Sequence, residues 1–338
     1  MPLIILGFVA PSIARLKSNA SRLLLFAFGI AYLSSVGAAS FGAIVGYQLI
    51  PSLQIEPTTE GLREAPAMLF NIEIPPVMNV MSALVLSVFV GLSTSWVRSE
   101  QMEWLLDTFQ QMVLRLVERV LMPLLPLFIA ANFCVLSYEG ALTKQLPIFL
   151  SVLVVVIGCH YLWLALLYGI ASLYSKQNSW RVLRHYGPAY LTALGTMSSA
   201  ATLGTSLACA GRSPLLRKEI IDVMVPLFSN IHLCGSILTE TFFVMTVSQV
   251  LYGYLPDPTT MAVFILLLGL FAIGAPGVPG GTVLASLGLI ISIVGFDEAG
   301  TALLLTIFAL QDSFGTACNV TGDGALTLIV DTFERKSN

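Results

Sequence analysis

The sequence predicts an all-α polytopic membrane protein in which two re-entrant helical hairpins dip into the bundle from opposite faces. Three observations predict it. The 338 residues are 56% hydrophobic and 10% charged, with a mean hydropathy of +0.87, whereas soluble domains carry roughly 25% charge. Charge-free apolar runs long enough to cross a bilayer recur along the chain. Two further runs have small-polar or Gly-Pro centres that break a straight span. The composition excludes a soluble enzyme and a secreted scaffold, because 35 ionisable side chains cannot cover a water-soluble fold of this length. A net charge of −3 offers no basic patch, so no nucleic-acid partner is expected. The five cysteines (134, 159, 209, 234 and 318) all lie in apolar stretches. They read as small hydrophobes, not as disulfides or a zinc site, and no cofactor is expected.

A spanning helix needs about 20 predominantly apolar residues. Met1 to Ala14 is too short, and its charges, Arg15 and Lys17, follow the apolar run where a signal peptide would place them first. It reads as the second half of a helix whose beginning is missing. Full-length runs lie between Arg22 and Glu56, Glu73 and Arg98, Arg119 and Glu139, and Lys144 and Lys176. The stretch 185–212 holds GTMSSAATLGTS around Thr196, which fits a hairpin of two half-helices. The next helix, 223–256, reads VPLFSNIHLCGSILTETFF at its centre. Pro226, Gly235 and the polar Ser229, Asn230, His232 and Ser236 suggest an unwound middle whose carbonyls are free for a cation. The stretch 258–296 holds IGAPGVPGGTV around Pro276, a second hairpin. A terminal helix follows over 299–333. Irregular backbone at membrane depth is tolerated only where protein buries it or water lines it.

The basic residues test the hairpins. If both are re-entrant, one side collects Arg15, Lys17, Arg22, Arg98, Arg115, Arg119, Lys176, Arg181, Arg184, Arg212, Arg217, Lys218, Arg335 and Lys336. That is 14 of the 16 basic residues, with Arg63 and Lys144 opposite. The rich side, with the C-terminus, is then cytoplasmic. Asp257 and Asp297 flank the second hairpin, which opens from outside. Two opposed hairpins, each followed by a polar helix, form an inverted repeat, an arrangement typical of secondary transporters with a midplane site.

The terminal helix carries the densest polar pattern. Asp312, Gly315, Thr316, Asn319 and Asp323 share one face. Carboxylates inside a span are costly unless paired or solvated, so Asp312 and Asp323 are functional candidates, while Asp331 near the helix end needs no role. Glu240, in the broken helix, is a candidate proton carrier. His232 reads either as a cation-site residue or as a hydrogen-bonded packing residue, and His160 and His185 read as bland. GAPGVPGG lacks a phosphate-loop lysine and follows no strand. Asp312 and Asp323 share one helix, which argues against an intramembrane aspartyl protease, and the hairpin serines have no partner base nearby in sequence.

Three motifs in order make the chain resemble the dicarboxylate/amino acid:cation symporters, the family of the glutamate and neutral amino acid transporters. They are Thr196-Met197-Ser198-Ser199-Ala200-Ala201-Thr202, Gly274-Ala275-Pro276-Gly277-Val278-Pro279-Gly280, and Asp312 with Thr316 and Asn319-Val320-Thr321-Gly322-Asp323. The likeness covers nearly the whole chain and is strongest from Tyr186 to Thr332. It implies an elevator transporter, usually a homotrimer, in the cell membrane. Residues 1–18 would be a scaffold-helix remnant, 19–50 a transport-domain helix, 51–143 the scaffold and oligomerisation helices, and 144–338 the transport domain. By analogy Asp312 binds a substrate ammonium, while Ser198, Ser199 and Thr316 position its carboxylate. The tip residues Gly277, Val278 and Gly280 cover the substrate as the gate. Asn319, through its carbonyl, and Asp323 hold a cation, with Asn230 and His232 on the unwound helix beside them. Ser34 and Ser35 match hydroxyls of a further sodium site.

The departures refine the expectation. The family's Asn-Met-Asp-Gly is His232-Leu233-Cys234-Gly235 here, so the acid of the further sodium site is Cys234. Gly315 stands where acidic-substrate members keep an arginine that pairs the second carboxylate. Glu240 stands where proton-coupled members keep a glutamate. The first helix and about half of the second are missing relative to the family, so the chain reads as a fragment or a late-started product. The expected function is symport of a small amino acid, neutral favoured, or of a dicarboxylate, driven by sodium, protons or both. A transport-impaired homologue that binds or leaks is the alternative.

Overall fold

The computed structural model describes residues 22–53, 77–78, 80–116, 141–275 and 277–337, with isolated residues among 6–14 and 119–138. The expected remnant 1–18, Arg15, Lys17, Arg63, much of 51–143 and the tip residue Pro276 therefore lie wholly or largely outside the described residues. Every regular element among the described residues is helical. The longer ones, in chain order, are α1 (Arg22–Leu49), α2 (Val80–Val97), α3 (Glu100–Leu116), α4 (Ala141–Ser175), α5 (Gly187–Thr196), α6 (Ser199–Gly211), α7 (Lys218–Ile231), α8 (Cys234–Val247), α9 (Pro258–Gly274), α10 (Gly281–Leu289) and α11 (Glu298–Ser337). Among the described residues, four stretches are long and apolar enough to cross a membrane: Arg22–Leu53, Pro147–Ser175, Lys218–Tyr252 and Glu298–Lys336.

The packing centres on α8. All fourteen of its residues are buried, the pattern of a helix enclosed on every side. It fits because its neighbours present small residues. On α1 the buried positions are Ala27, Ala31, Ser34, Ser35, Ala38, Ala39, Gly42, Ala43 and Gly46, a stripe with almost no side-chain bulk. A Cβ at Gly42 would lie 3.2 Å from the Leu238 carbonyl oxygen, so the two backbones nearly touch. On the opposite side α11 packs against α8, α4 and α5. One large core unites α1 with α4–α11 and takes in Ala83 of α2, while Ala10, Ala14 and Leu106 form a small separate cluster with Leu6 and Val90.

The two interrupted stretches are helix-break-helix units whose ends meet. After α5, Met197 adopts φ 52° and Ser198 is extended, and the Ser198 hydroxyl oxygen accepts the Ala201 amide at 3.2 Å to start α6. At the foot of this unit the Ser213 hydroxyl donates to the Arg181 carbonyl, 3.2 Å away and 32 residues earlier. That foot lies with Arg217, Arg335 and Lys336 at one end of the bundle. The second unit, α9 and α10, has its foot at the other end. There the Tyr252 hydroxyl donates to Asp297 at 2.6 Å, and the Tyr47 hydroxyl to the Pro256 carbonyl at 2.7 Å.

The expected break in 223–256 is present. Helix α7 starts at Lys218 and continues through Pro226, whose carbonyl accepts from Ser229 Oγ (2.9 Å) and Asn230 Nδ2 (2.8 Å). The chain breaks later, at His232 (φ −115°, ψ 96°) and Leu233 (φ −117°, ψ 41°). The terminal helix extends four residues beyond 333, to Ser337.

Candidate functional site

The break between α7 and α8, the two tips and the polar face of α11 converge. Asp312, Thr316, Asn319 and Asp323 are all at most 4% exposed. Together with Met197, Ser199, Leu233, Ser236, Gly277, Val278 and Thr282, the first three line a narrow polar cleft. No lining residue is basic. The tips close on one another across it. Ser198 Oγ donates to the Gly277 carbonyl at 2.6 Å, and the Ala200 amide reaches the same oxygen at 3.4 Å. Gly280, at φ 68°, turns the second tip so that its N–H donates to Asp312 Oδ2 at 2.6 Å. This backbone conformation favours glycine. The carboxylate thus holds one backbone N–H donor.

Asn319 holds the helix break. Its Oδ1 accepts the amides of Gly235 (2.7 Å) and Ser236 (3.2 Å), and its Nδ2 donates to Ser236 Oγ at 2.9 Å. These amides are the orphan donors of the first turn of α8, whose own N-cap, Leu233, has no side-chain acceptor. A residue of α11 therefore caps α8. Gly315 permits the contact, because a Cβ there would meet the Ser236 Cα at 3.2 Å and its N at 3.3 Å. An arginine at 315 would force α8 to stand off.

His232, fully buried, bridges two helices from the break. Its Nδ1 lies 2.8 Å from Asp323 Oδ1 and its Nε2 lies 2.9 Å from Ser34 Oγ. Asp323 Oδ2 and Ser35 Oγ are buried without a hydrogen-bond partner. Glu240 lies deeper in α8, with its Oε1 accepting the Ser286 hydroxyl and its Oε2 unpartnered. Asn230 stands apart from the group. Its side chain is exposed and folds back on α7. The sites named from sequence thus form one cluster around Asp312, a second around His232 and a separate position at Glu240.

Three contributors escaped the sequence reading. His160, taken there as bland, directs Nε2 from α4 to the Gly235 carbonyl (3.1 Å) and Thr239 Oγ1 (2.9 Å), bracing the start of α8. Ser286 meets Glu240 across 46 residues. Gly322 leaves the space into which the His232 ring fits, since a Cβ there would lie 3.0 Å from His232 Cε1. Only the flanking glycines of TGDG hinted at this crowding.

Comparison with known proteins decides the relationship. The model of the sodium:dicarboxylate symporter family matches residues 1–333. The chain belongs to this family. Over 254 residues it is 26% identical to excitatory amino acid transporter 2 of Mus musculus, a match taking in 73% of this chain and 43% of that protein. Over 233 residues it is 27% identical to excitatory amino acid transporter 1 of Rattus norvegicus, taking in 68% of this chain and 42% of that protein. Excitatory amino acid transporter 1 of Ambystoma tigrinum is 25% identical over 273 residues. The chain therefore spans less than half the length of these relatives. The family is one of secondary transporters, not enzymes. Membership, with four apolar helices of spanning length, makes the chain a multi-pass membrane protein.

Proposed function

We propose that this chain is a secondary active symporter that carries a small amino acid, neutral in preference to acidic, with a cation. The observation that carries the reading is the closure of the two tips on each other, with Gly280 of the second held to one buried carboxylate, Asp312, in a polar cleft with no basic lining residue. A buried carboxylate facing backbone N–H groups suits an ammonium group, and the hydroxyls of Ser198, Ser199 and Thr316 suit the substrate carboxylate. With Gly315 packed against α8 and no basic residue lining the cleft, a second carboxylate finds no partner there. The Asn319 carbonyl and the free oxygen of Asp323 would hold the cation, sodium being the family's ion. Glu240, with one oxygen unspent, is the group we assign to proton coupling.

The arms of the two units are too short to span. At 1.5 Å per residue, the 10 residues of α5 and the 13 of α6 reach about 15 and 20 Å, against a hydrocarbon core of about 30 Å. With their feet at opposite ends of the bundle, we read them as opposed re-entrant hairpins of an inverted repeat. The basic foot would be cytoplasmic, as would the C-terminus. The core uniting α1 with α4–α11 is the candidate moving body of an elevator. We place α2 and α3 in the scaffold through which a homotrimer would form.

Uptake into proteoliposomes tests the reading. Serine or alanine should accumulate against its gradient, and aspartate should compete at least tenfold less well. Preference for aspartate would overturn the neutral assignment. Asp312→Asn should weaken substrate binding by roughly 30-fold or more, the scale for losing one partner of a buried charge pair. Glu240→Gln should remove the dependence of uptake on a proton gradient. Unchanged pH dependence in that variant would refute proton coupling.

A further inference from the structure

Two oxygens from different helices face each other beside the break of α7 and α8: the Ser34 hydroxyl on α1 and the Asp323 carboxylate on α11. A hydroxyl and a carboxylate converging on unwound backbone make an attractive pair for a hard cation. In this chain the gap between them holds a side chain. The extended backbone at His232 sends the imidazole into it, 2.8 Å from Asp323 Oδ1 and 2.9 Å from Ser34 Oγ. With the ring proton on Nδ1, that nitrogen donates to Asp323 and Nε2 accepts from the serine hydroxyl. This tautomer satisfies both partners, and no water-exposed surface remains on the ring.

The surroundings are cut to the ring. Glycine at 322 relieves crowding against the ring, since a Cβ there would lie 3.0 Å from Cε1 and 3.4 Å from Cys234 Sγ. The Phe228 ring stands edge-on at 6.3 Å. Cys234 adds a neutral thiol where an anion would be needed to draw a metal ion in, and the neighbouring Ser35 hydroxyl is left unpartnered.

We propose that His232 occupies this gap in place of a cation, so that the chain binds no sodium ion between α1 and α11 and its ion coupling is set by the imidazole. The inference rests on the symport reading above and refines it: Asp323 contributes Oδ2 alone to ion binding, and Ser34 contributes nothing. His232 is then a specificity-determining residue for the coupling ion, and Gly322 is the residue that admits it.

Two measurements test this. In 15N-histidine-labelled protein in detergent, the His232 ring nitrogens, assigned by their loss in His232→Asn, should both stay hydrogen-bonded through a sodium titration, with an ion at Asp323 Oδ2 moving Nδ1 more than Nε2. Loss of the Nε2 hydrogen bond to Ser34 on adding sodium would overturn the proposal. In the second, His232→Asn combined with Cys234→Asp removes the ring and supplies an anion beside Ser34 and Ser35. Equilibrium binding of radioactive sodium should then rise by one ion per chain over wild type. No gain in a variant that keeps the wild-type thermal midpoint would overturn the proposal, and if the variant does not fold, the ring signal decides. Should wild type bind no sodium at all, the sodium part of the symport reading falls, yet the double variant still decides the bridge, because a site opened there binds sodium independently of transport.

Discussion

Single residues in this protein act across helix boundaries. Asn319 is 1% exposed and spends its whole amide on the start of α8, doing from α11 what an N-cap does within one chain segment. Asn319→Ala should cost about 1 kcal/mol, the usual worth of such a cap. The amides of Gly235 and Ser236 should exchange faster by hydrogen-exchange mass spectrometry, and unchanged protection would refute the capping role. The types and spacing of Asp312, Thr316, Asn319 and Asp323 were legible in the sequence, because a helical face is a local property of the chain. Their partners were not. That Asp312 meets Gly280, Asp323 meets His232 and Glu240 meets Ser286 depends on contacts 32, 91 and 46 residues apart.

At the scale of elements, breaks matter more than spans. Pro226 lies inside α7 without ending it, whereas His232 and Leu233 end it with no proline present. The break thus falls within the stretch from Pro226 to Ser236 that composition marked, and the Gly-Pro and small-polar tips also fell where expected. The start of α9 is set by Asp257. Its carboxyl is held below the ordinary range by the Thr260 hydroxyl (2.5 Å) and the amides of Thr260 (3.1 Å) and Thr259 (3.0 Å). A carboxyl whose folded value is depressed contributes stability above its unfolded value, near pH 4, and loses it as pH falls through the folded one. Exchange at Thr259 and Thr260, corrected for intrinsic rate, should thus be steady near neutrality and accelerate below about pH 4. In Asp257→Ala exchange should already be fast at neutral pH, and a wild-type pH profile surviving in that variant would refute the cap.

At the scale of the whole molecule, the basic end is tied together by the last turn of α11. Arg217 donates to Asp331 Oδ1 at 2.8 Å and also reaches Glu334, while Arg335 pairs with Asp331 Oδ2 at 2.7 Å and donates to the Leu215 carbonyl at 3.1 Å. Phe333 stacks on Phe26 with centroids 3.9 Å apart, and Lys336 donates to the Tyr174 carbonyl at 3.1 Å. Asp331, expected from sequence to need no role, is 1% exposed and anchors this knot. Its two arginines are 36% and 42% exposed, so they rehydrate when it is lost. Asp331→Ala should therefore cost about 1 kcal/mol, a drop of a few degrees in thermal midpoint in detergent. An unchanged midpoint would sink the clamp.

By itself the sequence determined that this chain lives in a bilayer, which stretches are helical or interrupted, and which side chains are too costly to bury idly. Those are properties of composition and short-range periodicity. Only the tertiary structure decided that the tips meet at Asp312, that α11 caps α8, and that an imidazole fills the gap between Ser34 and Asp323. Each depends on helices far apart in sequence approaching to backbone distance, and the glycines that allow it, at 42, 315 and 322, have no side chain by which the sequence could announce a partner.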